Sequence, residues 1–180
     1  MKKNSLTTLL FTALAAAIIC VLSPFVIAIP ISPVPVSLSI LAIYIAVYAC
    51  GFKWGTASVA LYILIGLVGV PVFSGFSGGP GKLFGPTGGY IFGYLFVSLI
   101  AGLFIDKFTS KIYMHAVGMV LGTAVCYAFG TVWLAHVTGM GFKAALFAGV
   151  IPFIPADIVK IIIALLIGPA LRKAIRKFSR

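Results

Sequence analysis

Near the C-terminal end, two side chains that could do chemistry sit in an unusual place. Asp157 and Lys160 stand in the run Ile151-Pro152-Phe153-Ile154-Pro155-Ala156-Asp157-Ile158-Val159-Lys160, otherwise free of charge. Residues spaced i, i+3 share a helix face, so this carboxylate and ammonium partly neutralise each other. Alone, each costs roughly 2.5–3.5 kcal/mol at the centre of a membrane helix. Pro155 fits the first turn of a fresh half-helix, which places Asp157 near a positive dipole end. The plain reading is an ion pair that fixes helix packing. The functional reading is a polar anchor for a ligand in a mostly apolar cavity, because intramembrane ionisable groups are functional by default.

Few other residues compete with this pair. His115 and His136 have no second ligand at metal spacing, so no metal site is expected. Cys20, Cys50 and Cys126 are far apart, form no CxxC pair, and read as buried packing. A glycine-rich run spans residues 71–89 but lacks GxxxxGK[ST], so it is not a phosphate loop. No paired carboxylate or Ser-His dyad stands at convincing spacing, so no catalytic residues are expected and the chain does not read as an enzyme. Tyr90 directly follows the glycine run and is expected to face a cavity. Trp54, Trp133 and many of the tyrosines fit an interfacial aromatic belt.

The elements that position these residues follow from composition. The chain has 180 residues, of which 62% are hydrophobic and 8% charged, and its only acids are Asp106 and Asp157. Fifteen charges, 13 basic and 2 acidic, cannot cover a soluble surface of this size. A soluble enzyme, a nucleic-acid-binding domain and a disordered chain are excluded, and the partner implied is the lipid bilayer. The fold class expected is an all-α integral membrane bundle of six helices, one domain over residues 1–180. The spans fall at residues 6–29, 36–50, 56–70, 89–105, 113–137 and 144–171, the last bent at Pro152 and Pro155. The N-terminus resembles a signal peptide, but its apolar run continues to Ile29 and reads as an uncleaved first helix.

The net charge of +11 is a topology signal. With the N-terminus in the cytoplasm, that side holds Lys2, Lys3, Lys53, Lys107, Lys111, Arg172, Lys173, Arg176, Lys177 and Arg180. The other side holds Lys82 and Lys143. This asymmetry places both termini in the cytoplasm. The two longer outer segments, 24–39 and 71–89, are rich in Pro or Gly, which disfavour regular helix. They also carry Val, Phe and Leu, so they are expected to cap the outer end of the bundle, with the glycine loop at Gly79 gating the pocket. Ala13 and Ala17, Gly89 and Gly93, and Gly118 and Gly122 are small-xxx-small pairs, which let helices approach closely.

Four ordered motifs carry a resemblance: Pro33-Val34-Pro35-Val36-Ser37-Leu38-Ser39, Gly66-Leu67-Val68-Gly69-Val70-Pro71-Val72-Phe73, Gly85-Pro86-Thr87-Gly88-Gly89-Tyr90, and Pro155-Ala156-Asp157-Ile158-Val159-Lys160. Together they resemble the BioY family, the biotin-specific substrate-binding subunit (S component) of energy-coupling factor transporters. The resemblance covers nearly the whole chain. It implies a six-helix subunit of a bacterial cytoplasmic membrane that captures biotin outside the cell. It implies no cofactor and no ATPase in the chain, since ATP is used by a cytoplasmic ATPase pair acting with a transmembrane coupling subunit. Ala13 and Ala17 match the family's docking motif for that coupling subunit. The chain departs from the family at Ser37 and Ser39, usually Thr and Gln, and at Ala156, usually Gly. Lys2 stands where cobalt and nickel relatives carry histidine, which disfavours a metal substrate.

The chemistry of such a ligand suits the pair. A ureido ring offers N–H donors to Asp157 and a carbonyl acceptor to Lys160. Its apolar part needs a greasy wall, for which Phe73, Val34, Val36 and Tyr90 are candidates, with Ser37 and Ser39 as polar contacts. The ligand's carboxylate fits near the outer opening by Lys82, while the reverse orientation, carboxylate on Lys160, stays open. The alternatives are a different small vitamin, or an ion or proton pathway built on Asp157 and Lys160.

Overall fold

The computed structural model describes residues 5–27 and 34–178. Lys2, Lys3, Ile29, Pro30, Pro33 and Arg180 lie outside the described residues. Helix α1 (Ser5–Leu22) is followed by a two-stranded antiparallel ribbon, β1 (Val26–Ile27) and β2 (Val36–Ser37). Then come α2 (Ser39–Leu67), the single turn α3 (Pro80–Leu83), α4 (Gly88–Lys107), α5 (Ile112–Thr138), α6 (Phe142–Gly149) and α7 (Ile154–Phe178). A 3-10 turn, Ile151–Phe153, separates the last two. Among the described residues, four helical segments are long and apolar enough to cross a membrane: Ser39–Leu67, Gly88–Lys107, Ile112–Thr138 and Phe142–Ile175.

Helix α2 is a hairpin of two arms. Gly51 has φ 78° and ψ 177°, a left-handed conformation that glycine adopts at little cost, and it breaks the helix there. A Cβ on Gly55 would lie 2.8 Å from the Cα of Val47, a contact possible only if the chain folds back on itself. The arms, residues 39–50 and 52–67, correspond to the second and third expected spans. With α1, α4, α5 and the α6–α7 segment they make the expected six-helix bundle. The first span stops short of its expected limit at Ile29. Helix α1 ends at Leu22, because Pro24 follows and the chain turns into the ribbon.

The six-helix core is built by close approach of small residues. Cβ atoms on Gly89, Gly93, Gly118 and Gly122 would meet Trp133, Cys126, Phe104 and Val97, each across the α4–α5 interface. These pairs are therefore internal packing. Ala13 and Ala17 behave otherwise: both are exposed, while Ala15, Ala16 and Ile19 on the opposite side of α1 are buried. The α1 stripe of Leu6, Leu10, Ala13, Leu14, Ala17 and Val21 faces outward.

One end of the bundle is tied by Asp106. Its Oδ2 accepts the Phe52 N–H at the α2 hairpin tip at 2.9 Å, and its Oδ1 pairs with Arg172 of α7 at 2.5 Å. This node brings the chain neighbours Lys53, Lys107 and Lys173 to the same end. At the opposite end the ribbon and the glycine loop meet, where the Gly75 N–H donates to Pro24 O at 3.0 Å. The separation of basic and Pro/Gly-rich ends matches the charge asymmetry of the sequence.

The aromatic belt is corrected for the tyrosines, while Trp54 is exposed at 42%. Of the seven tyrosines, only Tyr113 is exposed, at 60%. Tyr44 donates to Met119 O and shares a 2.6 Å hydrogen bond with Thr123, and Tyr48 meets His115 Nδ1 at 3.0 Å. Trp133 donates Nε1–H to Gly85 O at 3.0 Å and so anchors the glycine loop. These side chains lie inside because their polar atoms find partners there, which removes the cost of burying them.

Replacing Gly55 with valine should force the α2 arms apart. Overpacking of this kind costs about 1–3 kcal/mol. The melting temperature of the detergent-purified Gly55→Val protein should fall, and an unchanged value would show that the arms do not pack as described.

Candidate functional site

The break between α6 and α7 builds the site. Pro152 has no N–H to continue α6, and Pro155 sits in the first turn of α7, where its missing donor costs nothing. Asp157 falls in that same first turn. Lys160, one turn on, donates Nζ–H to Asp157 Oδ1 at 2.6 Å. Both residues are buried, at 4% and 6% exposure. The second carboxylate oxygen, Oδ2, accepts the hydroxyl of Tyr127 from α5.

The pair borders a small open cavity of about 360 Å³, a volume that includes the solvent in its mouth. Five of the candidate residues line it: Asp157, Lys160, Tyr90, Val34 and Ser37. The wall also contains Pro35, Ile40, Tyr94, Cys126, Tyr127, Gly149 and Phe153, none of them a binding candidate from sequence. Tyr94 was open to detection, since it lies one helical turn beyond Tyr90. Tyr127 gave no such signal, because its partner Asp157 is 30 positions away on another helix.

The remaining candidates lie elsewhere, each for a physical reason. Phe73 is fully buried against the second arm of α2, where its ring takes the space left by Gly66 and meets Tyr62 edge-on at 5.4 Å. A Cβ on Gly66 would lie 2.1 Å from Phe73 Cζ. Val36 belongs to the core rather than the wall. It is 8% exposed and pairs with Ile27 of β1 in the ribbon. Ser39 opens α2 and accepts the Ser37 hydroxyl at 2.8 Å, so it holds a lining residue without lining the cavity itself.

Gly79 and Lys82 do not line the cavity. The Gly79 N–H donates to Gly66 O at 2.7 Å, and Phe73 and Ser77 form a short antiparallel bridge in the same loop. The glycine loop is strapped to the bundle end, while Val34, Pro35 and Ser37 of the first segment line the cavity. Lys82 is partly buried, and desolvation pulls its ammonium below the usual lysine range.

Tyr90 ties the wall to the helix break. Its hydroxyl donates to Gly149 O at 2.9 Å, a carbonyl at the end of α6, and its ring lies against Gly130. Both glycines are required by close approach: a Cβ would come within 2.1 Å of the Tyr90 hydroxyl at Gly149 and 2.4 Å of the ring at Gly130. The result is a small, mostly apolar cavity holding one carboxylate and one ammonium side by side. It can bind a neutral group that has a donor next to an acceptor.

A family model described as the BioY family matches residues 1–177. The chain belongs to the BioY family. It is 38% identical over 147 residues to the biotin transporter BioY of Thermotoga maritima, covering 82% of this chain and 86% of that protein. It is 34% identical over 175 residues to the biotin transporter BioY2 of Lactococcus lactis subsp. cremoris, covering 97% of this chain and 95% of that one. Among solved structures, the S-component for biotin from an ECF-type ABC transporter superposes with a TM-score of 0.87 at 30% identity, covering 96% of this chain and 94% of that one. The family, the apolar helices and this likeness make it a multi-pass membrane protein of a transporter family.

The fit between Tyr90 and Gly149 gives a test of the joint. Tyr90→Phe removes one hydrogen bond, worth about 1 kcal/mol. Gly149→Ala keeps that carbonyl but brings a methyl group to 2.1 Å from the tyrosine hydroxyl, which must move off the bond along with its ring. Thermal unfolding should therefore rank Gly149→Ala as the more destabilised of the two, and the reverse ranking would show that the joint does not close on Tyr90.

Proposed function

We propose that this chain is the biotin-capturing subunit of an ECF-type uptake transporter. The observation that carries the reading is the buried Asp157–Lys160 pair, 2.6 Å apart, on the wall of an apolar cavity. One edge of a cyclic urea presents an N–H beside a carbonyl. The Asp157 carboxylate accepts from the first and the Lys160 ammonium donates to the second. Lys160 has three N–H donors and spends one on Asp157, so donors remain for a ligand carbonyl. Phe153, Ile40, Val34 and the Tyr90 ring supply the apolar surface that a thioether ring and an aliphatic chain require. The ligand's carboxylate then points toward the mouth.

The cavity lies toward the Pro/Gly-rich end, away from the basic end that carries Lys53, Lys107, Arg172 and Lys173. With those residues in the cytoplasm, the mouth faces outward and both termini face inward. Chemical energy for release then comes from partners: a transmembrane coupling subunit and a cytoplasmic ATPase pair that uses ATP. The outward stripe on α1 supports a docking role for Ala13 and Ala17, since small side chains on an exposed helix face admit a second helix closely.

Isothermal titration of the purified protein tests the ligand. Biotin should bind, while thiamine, riboflavin and folate should not. Asp157→Ala should abolish high-affinity binding, since ligand donors are left unpaired at a cost of about 1–3 kcal/mol or more, and Lys160→Ala should do likewise. If both variants bind biotin as tightly as the parent, the site assignment fails.

Docking is tested separately by Ala13→Trp and Ala17→Trp. Each should leave biotin binding and thermal stability intact, while blocking co-purification with the coupling subunit and ATP-driven uptake. Full assembly with normal uptake would show that this face is not the contact.

A further inference from the structure

The Asp157 carboxylate is held from two sides. Lys160 takes Oδ1 from within α7, and the Tyr127 hydroxyl takes Oδ2 from α5. A carboxylate has about four lone-pair directions, so about two remain for a ligand. Lys160 alone would leave the carboxylate free to rotate about its own axis, because one contact fixes one oxygen. A second donor from a different helix fixes the plane. The α5 backbone is in turn locked against α4 near this point, where a Cβ on Gly93 would lie 2.6 Å from Cys126 Sγ, and Cys126 donates to Tyr90 O at 3.6 Å. The tyrosine is thus mounted on a closely packed part of the bundle, while Asp157 sits beside a helix break.

We infer that Tyr127 is a positioning residue, which clamps the second oxygen of Asp157 so that the remaining lone pairs of that carboxylate face the ligand. This rests on the reading of Asp157 as the acceptor for a ligand N–H. Pre-organising the acceptor removes an ordering cost that would otherwise be met on binding. The tyrosine ring fills the same wall whether or not its hydroxyl is present, so the role can be separated from packing.

The composition makes the test clean. Asp106 and Asp157 are the only acidic side chains in the chain, so the carboxylate band of Asp157 in an infrared spectrum is assigned by its loss in Asp157→Asn. In ligand-free Tyr127→Phe that band should shift, because the carboxylate has lost a donor. Biotin affinity in the same variant should fall about tenfold, the cost of ordering one side chain on binding.

A band that does not move overturns the clamp, including the case in which affinity still falls and Tyr127 touches the ligand directly. A shifted band with affinity within about threefold of the parent overturns the positioning role, since less than half of one tenfold step is then at stake. The biotin reading is judged on the parent protein: failure of the parent to bind biotin overturns that reading and this role with it. Failure of Tyr127→Phe to differ from a biotin-binding parent overturns this role alone.

Discussion

The ion pair between Asp157 and Lys160, 2.6 Å long in an apolar interior, is the interaction on which the rest of the bundle depends. Neither charge could be buried there alone, because an unpaired ion in a low-dielectric region carries a large desolvation cost. Pairing reduces that cost without removing it. The surroundings supply the remainder: Tyr127 donates to the free carboxylate oxygen, and the pair sits at a helix start, where the backbone dipole favours the negative charge. A helix start in mid-bundle requires a broken helix. The proline pair at positions 152 and 155 and the carbonyls left free at the end of α6 follow from that requirement, as does the Tyr90 hydroxyl that meets Gly149 O.

The polar interior extends beyond the pair. Tyr44 with Thr123, and Tyr48 with His115, form further buried contacts along the α2–α5 interface. His115 Nε2 lies 3.2 Å from Phe108 O, so that nitrogen donates and Nδ1 accepts from Tyr48. At the far end Asp106 joins the α2 hairpin, α4 and α7. Each acid in the chain thus has a basic partner on α7. That helix is held at both ends by charge, and its outward faces are left to Ile158, Val159, Ile162 and Leu166, all exposed. Such residues suit lipid, which is as apolar as they are.

The two Pro/Gly-rich segments do different work although their compositions are alike. The first lines the cavity through Val34, Pro35 and Ser37. The second is fastened by Phe73 in the Gly66 notch, by the Gly79 N–H on Gly66 O, and by Trp133 on Gly85 O. Its glycines serve close contact at least as much as flexibility: a Cβ on Gly78 would fall 2.4 Å from Val70 O.

Periodicity and composition by themselves determined the membrane class, the six helical segments, the bend near Pro152 and Pro155, and the pairing of Asp157 with Lys160. All are local properties: hydropathy over one span, a missing N–H, or an i, i+3 spacing on one helix. The placing of Phe73 in the core rather than on the wall and the inward-facing tyrosines were decided by the tertiary structure alone. Each depends on what another segment offers: Gly66 leaves a space that only a ring brought from seven residues on can fill, and Tyr127 needs a carboxylate from a helix 30 positions away. Hydropathy cannot separate lipid-facing from partner-facing or core-facing positions on a helix apolar all round. Which face of α1 turned inward, and so left Ala13 and Ala17 outside, was settled only when Ala15, Ala16 and Ile19 packed against the rest of the bundle.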